Sequence, residues 1–507
     1  MPKIFRSGSC AAALLIASTQ PMLADVTAQD VWSDWQDYMT GYGYVMSATE
    51  TANSAGVNLS DLSMSFDVPE EDVTITMAIP EMAFVNKGDG SVDVAMPSSM
   101  PMTVVVTENG REQARIVVNM EQTGHSMVVS GDPGDMNYNY VAATVGMSLG
   151  SIIADGEQAP PDLAKVSLAM GNVISSTRVQ VGDMRTTTNQ SSVATLSYDI
   201  AINEPGGDEG MAAKGGSQDL RLESTSVMPR ELNFEDPTAF FTSGIEATGG
   251  ISYGPGSVDA QFNVDGDAGT FSSTSQGGKL AFAMDKASLM YEVAQYALQV
   301  NMTTSEFPLP ISLELAEAAV KLLAPIGKSE GEQDFELVLK LVDFQMADML
   351  WGIIDQANIF PHDPATIVID VTGKGQLEMD LFDPMAIEAM DRGAPPGKLN
   401  ALDLNQLLVS AVGAKLAGSG AFTFDNSDLA SFGGVPKPTG SVDLELEGAN
   451  GLLDKLIMMG LVSEDDAMGA RMMMSMFGVP GDGPDSLKSK LEINAEGHIL
   501  ANGQRLQ

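Results

Sequence analysis

Basic residues, cysteine and histidine are scarce in this sequence. The 507 residues include 26 Lys and Arg against 68 Asp and Glu, with one Cys and three His. So few Cys and His argue against zinc clusters, cysteine nucleophiles and histidine-rich metal sites. The net charge of −42 repels a phosphate backbone, which argues against nucleic-acid binding. We expect no metal, no cofactor, no nucleic-acid partner and no enzymatic activity.

Long apolar runs are also missing after residue 24, so we expect no transmembrane segment in the mature chain. The first 24 residues have a secretory pattern: Lys3 and Arg6 precede the apolar segment 10–18, and Ala24 precedes Asp25. Cys10 is the first residue of the apolar segment, whereas a lipid-acceptor cysteine follows it. We therefore predict a signal peptide over 1–24 and a periplasmic protein without cysteine. A retained N-terminal anchor is the alternative.

The mature chain opens with a predicted helix. Thr27 and Asp30 have the spacing of a capping box, and Val31, Trp32 and Trp35 recur at helical spacing. The favoured interpretation is that this aromatic stripe packs on a sheet, and the alternative is a binding or membrane-interface helix.

From about residue 60 to 300 the hydrophobic period becomes two, which indicates strands apolar on one face. Polar turns recur about every ten residues and predict antiparallel meanders. The predicted strands are 72–79, 91–96, 102–107, 114–120, 126–130, 165–170, 177–182, 194–202, 219–224, 257–264 and 279–284.

The second half alternates strands with short helices. Strands are predicted at 333–344, 375–382 and 440–448, each followed by a short helix, and the chain ends with a helix at 464–477 and a hairpin. We predict a β-dominated α+β fold with extended, twisted antiparallel sheets and short helices packed on one face. The predicted regions are 25–240 and 241–507, which could form one continuous sheet. Segment 203–218 is either a linker or a long hairpin loop.

No catalytic constellation emerges from the motifs. Ser148 and Ser329 lie in G-x-S-x-G matches, and His362 and His498 are possible bases, but neither serine has the strand–turn–helix context of a nucleophile elbow. Segment 327–329 imitates the end of a phosphate-binding loop without its leading glycine. Clusters of Asp at 132–135, 265–267 and 425–428 fit turns better than calcium loops.

Methionine is abundant, with 33 residues that recur on strands and in the last two helices. Filling gaps in the core is the favoured interpretation, and a surface for varied apolar partners is the alternative. Metal loading through thioethers is not expected for methionines in an amphipathic pattern.

Segments 418–477 and 491–506 resemble an uncharacterised family of exported alphaproteobacterial proteins, a domain of unknown function. The strand–helix units and the closing hairpin, with Gly497, Asn502 and Gly503, are more distantly similar to AsmA-like envelope proteins, which implies long β-grooves linked to lipid movement. The first resemblance implies export and no functional residues.

These observations favour a non-catalytic protein that binds a hydrophobic ligand such as lipid, or serves envelope maintenance. The alternatives are an acidic interaction module for cationic protein partners and, third, a hydrolase. Segment 333–344 is the test case, because Phe335, Leu337, Leu339 and Leu341 alternate on one face. A ligand groove requires that face to be open, and a sealed core requires it to be buried.

Overall fold

The computed structural model describes residues 25–68, 72–232, 243–307 and 309–506, so the predicted signal peptide 1–24 lies outside the described residues. Within those ranges strands dominate and helices are short. The helices are α1 (Ala28–Gly41), α2 (Asp348–Ile354), α3 (Pro384–Asp391), α4 (Ala449–Met458) and α5 (Glu464–Phe477).

The strands belong to one antiparallel sheet, which confirms the β-dominated prediction. The first twelve are β1 (Val45–Asn53), β2 (Gly56–Asp67), β3 (Val73–Asn86), β4 (Val92–Ala95), β5 (Ser99–Glu108), β6 (Arg111–Thr123), β7 (Ser126–Asp132), β8 (Asp135–Ala154), β9 (Glu157–Gln158), β10 (Ala164–Val181), β11 (Met184–Asn203) and β12 (Gly210–Pro229). The next eleven are β13 (Glu246–Tyr253), β14 (Gly256–Val264), β15 (Asp267–Ser275), β16 (Gly277–Met284), β17 (Ser288–Thr304), β18 (Ile311–Pro325), β19 (Gln333–Met346), β20 (Ala365–Leu377), β21 (Gly397–Ala411), β22 (Ala414–Asp425) and β23 (Lys437–Glu447). The last four are β24 (Val479–Pro480), β25 (Ser486–Ile493), β26 (Ile499–Ala501) and β27 (Gln504–Arg505).

The sheet is largely a meander, in which most strands pair with the strand next to them in the chain or with the one after it. Four pairs of short strands are collinear: β4 with β5, β6 with β7, β13 with β14, and β15 with β16. Tight turns such as Asn109–Gly110 and Asp265–Gly266 have positive φ at both central residues, as two-residue hairpins require. Because β12 pairs with both β13 and β14, the ladder continues across residue 240.

Several predicted boundaries were wrong. Segments 165–170 and 177–182 are parts of one strand, β10, and predicted strand 375–382 ends at Leu377. Segment 203–218 is not a linker: residues 204–209 form a hairpin loop, in which Glu204 N–H donates to Glu209 C=O at 2.8 Å, and 210–218 belong to β12.

A line of unpaired residues crosses the strands, and we call it the seam. In the ladders of β8, β10, β11 and β12 the pairing omits one residue of each strand, while the residues on both sides stay paired. Asp61, Asn172, Asp219, Ala297 and Asp343 lie on the seam with positive φ. Asp and Asn tolerate this left-handed region better than other non-glycine residues do.

The seam shifts the alternation of side chains by one residue. In β17, Leu289, Tyr291 and Val293 precede Ala297, whereas Leu298 and Val300 follow it. Ala142 and Val145, from the two sides of the seam, share one buried cluster with Val173. Apolar residues on both sides of the seam therefore face the same side of the sheet. Because the alternation is interrupted at the seam, the sequence of β10 predicts two strands instead of one.

Helix α1 covers the N-terminal strands as predicted. The capping box is present, with Thr27 Oγ1 accepting from Asp30 N–H and Asp30 accepting from Thr27 N–H. Trp32 is buried against Phe84, with ring centroids 5.9 Å apart. Full burial of such a side chain is worth about 1.5–3 kcal/mol, so this helix closes the main core. The residues packed with it are Val57, Leu59, Phe84, Val92, Val94 and Val129.

Helices α4 and α5 lie at the opposite end of the sheet. The carbonyl of Phe477, at the end of α5, accepts from Ser489 Oγ at 2.7 Å and from Asn502 Nδ2 at 2.8 Å. The cross-strand pairs between β3 and β25 place Phe84 and Leu487 on one face. Helices at both ends therefore pack on the same face, which leaves the sheet between them to form the site.

Candidate functional site

Apolar side chains from successive strands line up on the uncovered part of this face. The register is fixed by direct cross-strand partners, so neighbouring side chains touch along rows perpendicular to the strands. One row contains Ile251, Leu280, Val293, Val320, Leu339, Ile369, Leu407, Gly418 and Leu444. With strands about 4.8 Å apart, this row spans about 38 Å.

The apolar side chains are open to solvent. Leu339 is 40% exposed and Leu337 is 44% exposed, whereas Val338 between them, on the opposite face, is 9% exposed. We use the term apolar face for the exposed set Leu280, Phe282, Tyr291, Val320, Leu322, Leu337, Leu339 and Val409. Helix α2, which follows β19, does not bury Leu337 or Leu339. Of the two alternatives for segment 333–344, an open apolar face and a buried one, the structure therefore has the open face.

A belt of uncharged polar side chains borders the apolar face on β10 and β11. Asn189 Nδ2 donates to Thr177 Oγ1 at 2.7 Å and to Ser175 Oγ at 3.2 Å, and Ser191 Oγ donates to Ser175 Oγ at 2.8 Å. Ser191 is the direct partner of Leu222, which in turn pairs with Ile251. Polar and apolar surfaces are thus continuous, as a ligand with one polar and one apolar end requires.

A depression of about 650 Å³ lies at this junction, within the range of small-molecule sites. Asn189, Ser224, Ile251 and Phe282 contribute to its lining. Gly249 makes room for the Phe282 ring, because a Cβ at this position would lie 2.8 Å from that ring and displace it. The missing side chain lets the phenyl ring lie over the neighbouring strand.

The opposite face of the same strands is charged. Lys321 Nζ lies 2.6 Å from Glu336 Oε2, and Lys340 Nζ lies 3.3 Å from Glu317 Oε1. The Glu292 carboxylate, 2.7 Å from Lys279 Nζ, raises the pKa of that lysine through a hydrogen bond. The two charges in each of these pairs neutralise one another.

A buried ion pair anchors α1 beside the polar belt. Arg185 Nη1 and Nη2 donate to the two carboxylate oxygens of Asp34 at 2.6 and 2.8 Å, and the side chains are 11% and 9% exposed. The Arg185 guanidinium lies 4.6 Å from the centroid of the Tyr38 ring. Burial raises the pKa of the nearby Tyr138 well above its usual range, so its hydroxyl stays protonated. This cluster holds α1 against β11.

The sequence motifs do not come together. Ser148 lies within β8, opposite Ser167 and Asn119, and Ser329 Oγ accepts from Gly331 N–H at 3.0 Å in the turn after β18. His362 stacks on Trp351 with ring centroids 4.5 Å apart, and its Nδ1 lies 3.2 Å from Asp348. Neither serine is among the hydrogen-bond partners of His362 in the described part of the chain.

The acidic turns have their expected turn geometry. Asp425 accepts from Ser427 N–H at 2.9 Å, and Asp132 accepts from Gly134 N–H at 3.0 Å. Ser305 Oγ donates to Asp267 at 2.6 Å. Among the described residues no three His, Cys, Asp or Glu side chains group as metal ligands. No helix in the described ranges is long and apolar enough to cross a bilayer.

Core filling was the wrong interpretation for most methionines of the last helices, although Met459 and Met474 are partly buried. Met458, Met468, Met472, Met473 and Met476 are all more than half exposed. Only part of α4 and α5 packs on the sheet, and these side chains lie on the outer side.

Sequence reasoning missed the polar belt and the buried ion pair. Segment 186–192 is a run of Thr, Asn, Gln and Ser, which gives no apolar alternation and so was not predicted as a strand. That polar run was itself the available signal, because a strand without apolar residues must face solvent or a polar ligand. Asp34 and Arg185 are 151 residues apart, and no local pattern links them.

Comparison with known proteins gives a family and no activity. No curated protein matches the chain. Among solved structures, the crystal structure of ferric citrate transporter FecA in the unliganded form aligns at 8% identity with a TM-score of 0.15, covering 91% of this chain and 76% of that one. Similarity to AsmA-like proteins is not shown. Residues 198–500 match the family described as an uncharacterized protein conserved in bacteria (DUF2125), and since this is more than half of the chain, the chain belongs to that family.

Proposed function

We propose that this protein binds an amphiphile, with its acyl chain on the apolar face and its uncharged or zwitterionic headgroup on the polar belt. The observation that carries the proposal is the exposure of aligned apolar side chains, among them Leu339 at 40%, over several neighbouring strands. Exposed apolar surface of this extent marks an interaction site. A lipid fits this surface, because an acyl chain spans one bilayer leaflet of ~15 Å and the apolar row is longer, at about 38 Å.

The energetics are compatible with reversible binding. Covering the exposed part of the eight side chains of the apolar face contributes about 5–10 kcal/mol before the costs of association are subtracted. The net charge of −42 opposes an anionic headgroup. A zwitterionic lipid should therefore bind more tightly than an anionic lipid with the same acyl chains.

Fluorescent phosphatidylcholine tests the site, with phosphatidylglycerol carrying the same chains as comparison. Leu339→Glu should keep the fold, since the side chain is half exposed, and weaken phosphatidylcholine binding about tenfold or more, because a carboxylate then meets the acyl chain. Circular dichroism checks the fold, and fluorescence titration measures the affinity.

Two matched variants of the same strand sharpen this test. Lys340→Gln on the charged face should bind phosphatidylcholine as the wild type does. Val338→Glu should unfold the protein, because Val338 is only 9% exposed. Unchanged lipid binding by folded Leu339→Glu would overturn the proposal, as would wild-type protein that binds neither lipid.

We further propose that the protein is exported to the periplasm with residues 1–24 removed. The charged and apolar segments before Ala24 support this. The protein recovered from the periplasm should begin at Asp25 on N-terminal sequencing. Recovery of chains that begin at Met1 would contradict the proposal.

A further inference from the structure

The outer side of α5 carries methionines whose position the packing of the fold does not explain. Met472, Met473 and Met476 are 68%, 59% and 57% exposed, whereas Ala467 on the inner side is fully buried. Apolar side chains on the solvent side of a short surface helix contribute nothing to the core. Their residue type and spacing must be explained by something other than folding.

The spacing of these residues brings three thioethers to one patch. At about 100° per residue, positions i, i+1 and i+4 occupy an arc of about 100° on the helix surface. Cβ atoms at i and i+4 are about 5–6 Å apart, and methionine is long and unbranched. Their three sulfur atoms can therefore reach a common point above α5.

Thioether sulfur is a soft donor, which selects Cu(I) over hard cations such as calcium and magnesium. The carboxylates Glu464, Asp465 and Asp466 lie in the first turn of the same helix, and the negative charge of the chain concentrates cations near its surface. The negative charge of the protein therefore attracts any cation, and the thioethers select a soft one.

The amphipathic pattern argued against a thioether metal site on the assumption that these side chains pack, but the structure leaves them exposed. We therefore propose that Met472, Met473 and Met476 form a surface site for one Cu(I) ion. The site is separate from the apolar face of the sheet and does not depend on lipid binding. Met468, one turn before Met472, lies beside the site.

Competition with a chromogenic Cu(I) chelator, under anaerobic reducing conditions, tests the proposal on the whole protein. The wild type should withdraw one Cu(I) per chain from the chelator. The triple variant Met472→Leu, Met473→Leu, Met476→Leu should withdraw none. Leucine keeps the apolar surface and the helix propensity, so loss of Cu(I) in a protein with unchanged circular dichroism reports on sulfur alone.

The matched control is Met385→Leu on α3, which removes another highly exposed methionine and should bind Cu(I) as the wild type does. The single variant Met476→Leu should weaken Cu(I) binding about tenfold or more. It tests the proposal even if the triple variant fails to fold. Wild type that withdraws no Cu(I), or a triple variant that still withdraws it, would overturn the proposal.

A second measurement locates the ion. In protein labelled with ¹³C at the methionine methyl groups, Cu(I) should shift three resonances together, and these should be absent from the triple variant. Equal shifts spread over many methionines would mean non-specific binding and would contradict a built site.

Discussion

The guanidinium of Arg185 joins two parts of the chain that local sequence patterns cannot connect. It connects α1 to β11 through a bidentate hydrogen-bonded contact with Asp34. We expect Arg185→Ala to lower the free energy of unfolding by about 3–5 kcal/mol, because it leaves the Asp34 carboxylate buried without a partner. Equilibrium denaturation in urea measures this change.

Arg178→Ala is the matched control, since Arg178 also contacts an aspartate, Asp135, through two nitrogens but its side chain is half exposed. Its removal should leave the free energy of unfolding almost unchanged, as is typical of surface pairs. Equal losses in the two variants would show that the burial of Arg185 has no energetic consequence.

Residue-level predictions succeeded where the signal is local. The capping box of Thr27 and Asp30 and the burial of Trp32 follow from spacings of a few residues. The contact of Phe282 with Gly249 depends on the register of β13 against β16, which only the folded sheet defines. The same limit applies to the candidate site: its alternating leucines were predicted, but their exposure was not.

Helix α4 depends on an aspartate outside it. Gly448 at its start offers no side-chain cap, and Asp485 accepts instead from Gly451 N–H at 3.0 Å and from Asn450 Nδ2 at 2.8 Å. Burial raises the pKa of Asp485, but these donors outweigh it and hold the pKa below its usual range. The carboxylate therefore stabilises α4 only in its charged form.

We expect the stability contributed by Asp485 to be complete above the unfolded-state pKa of about 3.9 and to be lost as the pH falls through the lower, folded-state value. Asp485→Asn should lower the free energy of unfolding at pH 7 by about 1 kcal/mol and so lower the melting temperature. The difference in melting temperature between the variant and the wild type should become smaller toward pH 3. Thermal melts across this range measure it, and a constant difference would contradict the assignment.

At the scale of elements, the helix predicted at 464–477 coincides with α5, and the structure shows that the Ser463 side chain caps it by accepting from Asp466 N–H. Strand lengths were underestimated wherever the seam interrupts the alternation, as at Asn172 in β10. A left-handed residue inside a strand looks like a turn in the sequence, since both favour Asn, Asp and Gly.

For the whole molecule, exposure is the dominant property. In the described part of the chain, large apolar side chains are exposed in many strands, among them Ile174 at 56%, Met211 at 50% and Leu337 at 44%. A single sheet with five short helices in the described residues has little interior. Composition alone could not predict this, because the hydrophobic fraction of 44% is that of an ordinary globular protein.

The charge of −42 acts across this large surface. Salt screens such repulsion over a Debye length of about 10 Å at 0.1 M. The melting temperature should therefore rise with NaCl and rise further with millimolar divalent cations. Scanning calorimetry at low and moderate salt measures the effect, and equal melting temperatures would refute it. A saturable calcium transition with simple stoichiometry would instead reveal a specific site.

The meander has a further consequence for how the chain acquires its structure. Since strands pair with others that are close to them in chain order, through turns as short as Asn109–Gly110, the pairing extends stepwise along the chain although the fold is almost entirely β. Little loop-closure entropy is lost at each step, so the sheet can grow by one hairpin at a time from any starting point. In this respect the molecule behaves as an array of hairpins, and hairpins can be added or removed during evolution without rebuilding the rest.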